Sequence, residues 1–518
     1  MTGAAAAVRR NRGDSVATLA AALAAAGLTF ARSGRAQMWP ADMGLLFGIP
    51  QRILSGEVAY RDFDLYSTPL TFYTHALGLK LFGFSMLFER LYISAECALL
   101  VGLAYWFCRR ALGLGAAKSA AIAAFQTIWA PQMMLGAMWY DGDVTLVVFV
   151  AGLCLYRAWN GRSERSALWC AACGALCAIS FWYKQDIGAG ALAAAGVLAW
   201  ARAREDRRRL QDALALSAAA ALATGAVLLY FFAHDALPRT FYWVATRALM
   251  NKWGPSSNGQ SSFKLLSPFT TKVDRSSRVV VLLYAAAPLA CWLRWRRVRE
   301  PCELALAAAT LLWFSSFYAG LFTHNGQAYS ARVATLGPVL AVLGRPWEWG
   351  PLLRHRRAVV LAWLVVVVGM GALGLRYLRH MTRDASSLRL RSARLAGMWV
   401  PPSARALDGL AEYIERRVPP QDEILDLDSI IIYYLTSRRA PHPFADFSYG
   451  EVIRSEDEDR LLARLNAADV RWYFHLGDRR DCERDPLWSL SGLKAYLAKN
   501  FRFKEAGDGF TVWEARPR

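Results

Sequence analysis

The sequence predicts a polytopic α-helical membrane protein of about eleven transmembrane helices, followed by a small C-terminal extracytoplasmic α/β domain. Three observations predict it. The chain has 518 residues of which 55% are hydrophobic, with a mean hydropathy of +0.20. Its apolar runs approach the roughly 20 residues that cross a bilayer as a helix. Its arginines sit in short clusters between alternate apolar runs, as the positive-inside rule describes. From about residue 381 the long apolar runs stop, charge rises, and helix-like and strand-like patterns alternate. Residues 1–380 therefore form the multi-spanning domain, with an external loop at 33–90, and residues 381–518 the extracytoplasmic one.

The expected spans are 16–31, 91–112, 116–137, 144–156, 167–183, 187–200, 213–232, 279–293, 304–322, 328–343 and 359–375. Several are short, so their ends extend or the bilayer thins around them. Orientation follows from charge. Arg9, Arg10 and Arg12 precede the first span, and every even connection is basic. Those connections carry Arg109, Arg110 and Lys118, then Arg157, Arg162 and Arg165, then Arg202 to Arg209, then Arg294 to Arg299, then Arg345 to Arg357. They are assigned to the cytoplasm with the N-terminus. The odd connections and the C-terminal domain then lie outside. The first span reads as an uncleaved signal anchor, because cleavage would remove the helix ahead of Asp42.

The net charge of +20 invites a nucleic-acid reading, but the basic segments form no continuous surface. No nucleic-acid partner is expected. The lipid bilayer is. The nine cysteines form no disulfide framework. Cys170, Cys173 and Cys177 share a helix face without a histidine or acid beside them, which reads as small residues packing helix on helix. No external acid cluster has metal-ligand spacing, so neither a metal nor a cofactor is expected.

In the C-terminal domain, 404–416 and 456–465 have helical spacing, 429–436 and 490–499 read as further helices, and 423–427 and 470–475 as strands. Residues 501–505 and 510–514 read as a hairpin closed by Gly507-Asp508-Gly509. The domain shows neither a phosphate-cradling glycine loop nor a catalytic triad, and reads as a structural or acceptor-docking module.

The most informative segment is 38–90, too polar to span a bilayer and too aromatic for a plain linker. It carries a lone acid, Asp42, just past the first span. The external connections together hold Asp42, Asp62, Asp64, Asp141, Asp143, Lys184, Asp186, Arg239, Arg247, Lys252 and His324, with Arg332 just inside the tenth span. Ionisable groups at or within a membrane are costly and point to function. Acids beside cations suit one chemistry: a carboxylate takes a proton from a hydroxyl, and cations stabilise charge on a departing phosphate. Local alternatives stand beside these readings. Asp42 is placed to cap a helix over 43–54, Asp141 or Asp143 to cap the fourth span, and Lys184 to snorkel at a helix end. Tyr60, Arg61 and Asp62 are placed to fix the loop's own fold.

The order of motifs resembles the GT-C superfamily of membrane glycosyltransferases, in the bacterial branch related to protein O-mannosyltransferases and lipid A aminoarabinose transferases. Asp42 follows the first helix; Gly56 to Asp62 reads Gly-x-x-x-Tyr-Arg-Asp; Pro69-Leu70, Leu81-Phe82-Gly83 and Arg90-Leu91 follow. Trp139-Tyr-Asp-Gly-Asp143 supplies a second external acid, and Lys184-Gln-Asp186 comes next.

The resemblance implies a hexosyl- or pentosyltransferase of the cell envelope. It implies a bacterial plasma-membrane location, a polyprenyl-phosphate sugar as donor, an extracytoplasmic acceptor (glycolipid, polysaccharide or protein), and inversion by direct displacement. By motif position it implies Asp42 as the general base and Asp141 or Asp143 as the second acid. Arg90, Lys184, His324 and Arg332 fall near the carrier phosphate, and Tyr60 falls at the substrate. Two departures stand out. Met43 follows Asp42 where many relatives have glutamate, and Ser67-Thr68 stands where the aminoarabinose transferases have an acid and a lysine. An aminoarabinose substrate is therefore not implied. The alternative from another class is a transporter or flippase of lipid-linked glycans, which would favour internal repeats and midplane charges; the sequence shows no repeat.

Overall fold

Alanine, leucine and other good helix formers fill the apolar runs, and each run so far as described is a helix. The structure is a computed structural model that describes residues 2–33, 40–65, 67–83, 86–135, 140–160, 165–247, 275–323, 336–345, 405–427, 430–443, 455–477 and 491–517, with short pieces at 368–375, 388–389 and 399–400. By its contacts the chain forms two compact units. The first comprises Met1–Ser33, Arg90–Leu229 and Asn251–Thr382; the second comprises Gly34–Glu89, Tyr230–Met250 and Arg383–Arg518.

The helices of the membrane region are α1 (Thr2–Ser33), α4 (Met86–Arg110), α5 (Ala116–Leu135), α6 (Tyr140–Trp159), α7 (Ser166–Tyr183), α8 (Gln185–Glu205), α9 (Leu210–Ala233), α11 (Arg275–Val298), α12 (Pro301–Thr323) and α13 (Leu336–Leu343). Among the described residues, seven helices are long and apolar enough to cross a membrane. All ten helices coincide with expected spans, α13 covering only the end of the tenth; the span expected at 359–375 lies almost wholly outside the described residues.

Close approach holds the first unit together. α12 packs on α6, α8 and α11. A Cβ on Gly152 of α6 would stand 2.2 Å from the indole nitrogen of Trp313, and one on Gly190 of α8 would stand 2.8 Å from the Ser315 carbonyl. Ser315 returns a hydrogen bond to the Gly190 carbonyl at 2.9 Å. Small residues at such contacts let backbones meet where the hydrophobic effect offers no drive between helices. Cys170, Cys173 and Cys177 are buried free thiols in this core. Acids answer some arginines of the basic connections: Asp14 pairs with Arg109 at 2.5 Å, and buried Glu303 pairs with Arg294 at 3.1 Å and Arg345 at 2.7 Å.

In the second unit, α14 (Arg405–Arg417), α15 (Ile431–Thr436), α16 (Ser455–Ala467) and α17 (Ser491–Asn500) accompany a four-stranded sheet. Its strands are β3 (Glu423–Asp426), β4 (Val470–Leu476), β5 (Phe501–Ala506) and β6 (Phe510–Ala515), in the order β3-β4-β6-β5. β3 runs parallel to β4 and the other pairs are antiparallel. Gly509, at φ 83°, turns the β5–β6 hairpin as the sequence predicts. A short antiparallel pair, β1 (Leu388–Arg389) with β2 (Trp399–Val400), is not anticipated by the sequence.

The segment after the first span contributes α2 (Pro40–Leu54) and α3 (Leu70–Phe82) to this unit, joined in it by α10 (Leu237–Phe241). One face of α2 meets the C-terminal module. A Cβ on Gly44 would stand 2.7 Å from Ile430 Cγ2 and 2.8 Å from the Ile431 backbone nitrogen, and one on Gly48 would stand 3.0 Å from Ile430 Cγ1. Phe47 packs on Tyr434 with ring centroids 4.8 Å apart. Gln51 reaches the Tyr433 and Arg438 carbonyls at 3.4 Å, and Arg52 donates to the His442 carbonyl at 3.2 Å. Positions 44, 47, 48, 51 and 52 are one helical stripe.

Between α2 and α3 the chain folds around two buried charges. Arg52 pairs with Glu57 at 2.6 Å and lies 4.5 Å from the centre of the Phe63 ring. Burial pulls the Arg52 guanidinium below its ordinary value, and Glu57 acts against that shift. Asp64 receives a two-pronged bond from Arg239, 3.1 Å on each side, and the Trp243 indole N–H at 2.8 Å. Arg460 of α16 also pairs with it. Asp62 accepts the Val58 N–H at 2.7 Å and pairs with Arg61.

Two outcomes follow from this packing. Asp64→Ala leaves two arginines without their carboxylate. They keep 35% and 30% of their side-chain exposure, so the loss falls at the low end of the cost of breaking a buried ion pair. That is about 3 kcal/mol, read as a lower Tm of the detergent-purified protein. Gly44→Val overpacks the α2 contact and costs about 1–3 kcal/mol, whereas Gly196→Ala, with nothing within 4 Å of the added carbon, leaves the Tm unchanged or raises it.

Candidate functional site

Asp42 lies on α2. Pro40 opens this helix, where a missing N–H costs nothing. Asp42 is therefore the third residue of the helix rather than a cap before it. An acid in a first turn is favoured by the helix macrodipole. The side chain of Asp42 lies outside the described residues. Its helix is fixed two residues further on, where Gly44 meets Ile430 and Ile431.

Tyr60 is buried with φ 67°, and its hydroxyl donates to the Ser67 carbonyl at 2.6 Å. Its ring meets Phe231 at 5.5 Å, and its N–H donates to the Phe63 carbonyl at 2.7 Å. Burial, then Tyr73 and Asp64, push its phenol well above the ordinary value, so it is a neutral donor at physiological pH. These contacts fix the loop from within.

The first unit holds a second polar group. Arg90 is fully buried near the start of α4, and its carbonyl accepts from Ser94 at 2.7 Å. Tyr92, two residues on, donates to the Oδ1 atom of Asp143 in the first turn of α6. Glu96, a further turn along α4 on the same helix face, interacts electrostatically with Asp143 and Tyr92. Asp143 keeps 2% of its exposure and Glu96 5%. Tyr183, the last residue of α7, interacts electrostatically with Tyr92.

Lys184 follows Tyr183 directly. It is the one extended residue between α7 and α8, at φ −154° and ψ 111°, and it keeps 5% of its exposure. Its N–H donates to the Ser180 carbonyl at 2.9 Å and its carbonyl accepts the Gly188 N–H at 3.0 Å. Gly188 permits this tight junction, since a Cβ there would lie 2.1 Å from the Phe181 backbone nitrogen. Asp186 sits in the first turn of α8, where its carboxylate accepts the Ile187 N–H at 2.8 Å.

The structure thus groups Asp143 with Tyr92 and Glu96, and places Lys184 beside Tyr183. Asp141 lies in the first turn of α6, with its side chain outside the described residues. His324, Arg332 and Lys252 are outside them altogether. The sequence reading missed Tyr92 and Glu96. Its available signal was an acid within an apolar span, with a tyrosine four residues before it on the same face. Glu300, Cys302 and Glu303 lie close enough to offer ligand atoms to a metal, but Glu303 is already committed to Arg294 and Arg345.

Arg90, Glu96, Asp143 and Lys184 are each buried in the first unit, and buried ionisable groups are the kind that move protons and stabilise anions. No protein-family model and no curated protein matches the sequence. Solved structures do. The crystal structure of ArnT from Cupriavidus metallidurans bound to undecaprenyl phosphate matches with a TM-score of 0.58 at 16% identity, over 97% of this chain and 99% of that one. The archaeal oligosaccharyltransferase AglB from Archaeoglobus fulgidus, in complex with an inhibitory peptide and a dolichol-phosphate, matches with a TM-score of 0.50 at 11% identity, over 96% of this chain and 74% of that one. The apo form of the Archaeoglobus fulgidus oligosaccharyltransferase gives the same values. The chain shares the fold of these solved proteins, the GT-C fold that its motif order resembles.

Proposed function

We propose that this protein transfers a sugar from a polyprenyl-phosphate carrier to a hydroxyl of an extracytoplasmic acceptor. The observation that carries the reading is the match in fold over nearly the whole of both chains to a protein held with undecaprenyl phosphate. The order of motifs from Asp42 to Asp186 supports it, as does the buried polar group around Asp143.

In this reading the Asp42 carboxylate takes the proton of the acceptor hydroxyl. The acceptor oxygen bonds to the anomeric carbon from the face opposite the phosphate. The bond from that carbon to the phosphate oxygen breaks with inversion, and its electron pair leaves on the polyprenyl phosphate. The departing group gains negative charge, so nearby cations lower the barrier. Arg90 and Lys184, together with His324 and Arg332, are the groups assigned to that task. Asp143 is taken as the second acid in preference to Asp141, because Tyr92 donates a hydrogen bond to its side chain. Tyr60 acts through the loop that it fixes.

The protein is read as residing in a bacterial plasma membrane, with its N-terminus cytoplasmic and its C-terminal domain outside. The reaction as drawn uses neither a nucleotide sugar nor a metal.

The test is a reconstituted assay. Purified protein in liposomes is supplied with undecaprenyl-phosphate-linked hexoses and pentoses and an envelope extract as acceptor, and release of undecaprenyl phosphate is followed. Asp42→Asn is expected to slow release by about 10²–10⁴-fold while eluting and melting as wild type does. A folded Asp42→Asn protein that releases carrier at the wild-type rate overturns the assignment of the base. No release by wild type from any donor overturns the proposed reaction.

A further inference from the structure

A cavity lies wholly within the second unit, between the last turns of α2 and the turn that follows α15. It has a volume of about 130 Å³, and its lining includes Gln51, Arg52, Glu57, Ser437, Arg438 and Arg439. Pockets that enclose a whole drug-sized ligand run to about 300–1,000 Å³, so this one takes a single unit of a larger molecule.

Three arginines and one carboxylate line it. Arg52 is spent on Glu57, at 2.6 Å. Arg438 gives its N–H groups to the Pro419 and Val418 carbonyls, at 2.6 and 2.8 Å, and Asp422 is the acid that acts on it electrostatically. Arg439 is exposed and has no hydrogen-bond or ion-pair partner among the described residues. One positive charge is therefore left over at the cavity.

Two neutral groups of the lining are also unspent. The Gln51 Nε2 atom lies 3.4 Å from the Tyr433 and Arg438 carbonyls. Carbonyls only accept, so the amide is fixed with its nitrogen toward them. Its oxygen is buried and has no donor, and a buried polar atom without a partner asks for an explanation. Ser437 ends α15 in the left-handed conformation, φ 57°, where glycine is usual. Glycine would hold that turn with less strain. The serine adds a hydroxyl, which has no partner among the described residues.

A guanidinium presents paired N–H donors in one plane, the arrangement that fits a carboxylate. One unpaired guanidinium matches one carboxylate, whereas a phosphate dianion brings a second charge that Glu57 opposes. A sugar's hydroxyls both donate and accept, which suits the Gln51 oxygen and the Ser437 hydroxyl. We propose that this cavity binds an acidic sugar unit, a uronate, of the extracytoplasmic acceptor, with Arg439 paired to its carboxylate and Gln51 and Ser437 meeting its hydroxyls. That the uronate belongs to an acceptor rests on the reading of the protein as a sugar transferase.

Binding is measured first, on the detergent-purified full chain without donor. The probe is a fluorophore-labelled trisaccharide ending in glucuronate, compared with its counterpart ending in glucose. The glucuronate probe is expected to bind about tenfold more tightly, the worth of one charge-assisted pair. Arg439→Gln is expected to abolish that preference and Arg439→Lys to keep part of it. Arg416→Gln removes an equal charge from an α14 side chain that is 74% exposed, and is expected to bind as wild type does. Equal affinity for the two probes, or a preference that survives Arg439→Gln, overturns the site. So does a preference that Arg416→Gln lowers as far as Arg439→Gln does, which marks a diffuse pull of a basic protein. Inorganic phosphate that displaces the probe where acetate at equal ionic strength does not overturns the choice of a carboxylate. In the reconstituted assay with an acidic polysaccharide as acceptor, Arg439→Gln is expected to raise the acceptor KM about tenfold, with kcat and the KM for the lipid donor unchanged. Arg439-dependent uronate binding by a protein that transfers nothing sinks the transferase reading and leaves the site standing. Transfer without that binding does the reverse.

Discussion

The contact that most of the second unit depends on is the approach of α2 to Ile430 and Ile431. No side chain beyond hydrogen fits at Gly44, where an added carbon would lie 2.8 Å from a backbone nitrogen. Backbone cannot move aside as a side-chain tip can, so the helix and the C-terminal module shift together or not at all. Phe47, Gln51 and Arg52 extend the contact for two further turns. Because Asp42 lies in the first turn of the same helix, the α/β module is tied physically to the start of α2. This accounts for the module without giving it a catalytic site of its own. Arg52 then links the end of α2 to the loop beyond, through Glu57 and Phe63, and Asp64 ties that loop to Arg239 and Arg460.

The first unit answers a different constraint. Its helices meet through glycine, alanine, serine and cysteine, which bring backbones close but contribute no polar chemistry. Against that background, a buried acid is expensive unless it is partnered. Two buried acids show such partners. Glu303 is neutralised by Arg294 and Arg345, which makes it a tie between helices. Asp143 accepts the hydroxyl of Tyr92 from α4, which ties α6 to that helix.

Much of the architecture was legible in the sequence because its signals are local. Apolar length marked the helices, and the period of the pattern marked the strands and helices from 404 onward to within a few residues. The fold resemblance came from motif order along one chain. What was not legible is non-local. Asp64 looks like one loop acid among several, and its partners Arg239 and Arg460 lie 175 and 396 residues away. Gly44 and Gly48 read as unremarkable helix residues, since the atoms that exclude a side chain there belong to residue 430 and its neighbour. The expected cap at Asp42 yielded to Pro40, which starts the helix two residues earlier. Glu96 shows in the sequence only as an acid inside an apolar span, four residues after Tyr92, and its neighbour Asp143 lies 47 residues further along the chain.

A chain that removes a sugar from a polyprenyl-phosphate carrier leaves a mark on the carrier pool of cells that lack it. Mass spectrometry of the polyprenyl-phosphate sugars in such cells, with complementation by wild type and by Asp42→Asn, reads that mark. One sugar–carrier species is expected to accumulate without the protein, to be cleared by wild type, and to persist with Asp42→Asn. An unchanged carrier pool, or clearance by Asp42→Asn as complete as by wild type, would contradict that role.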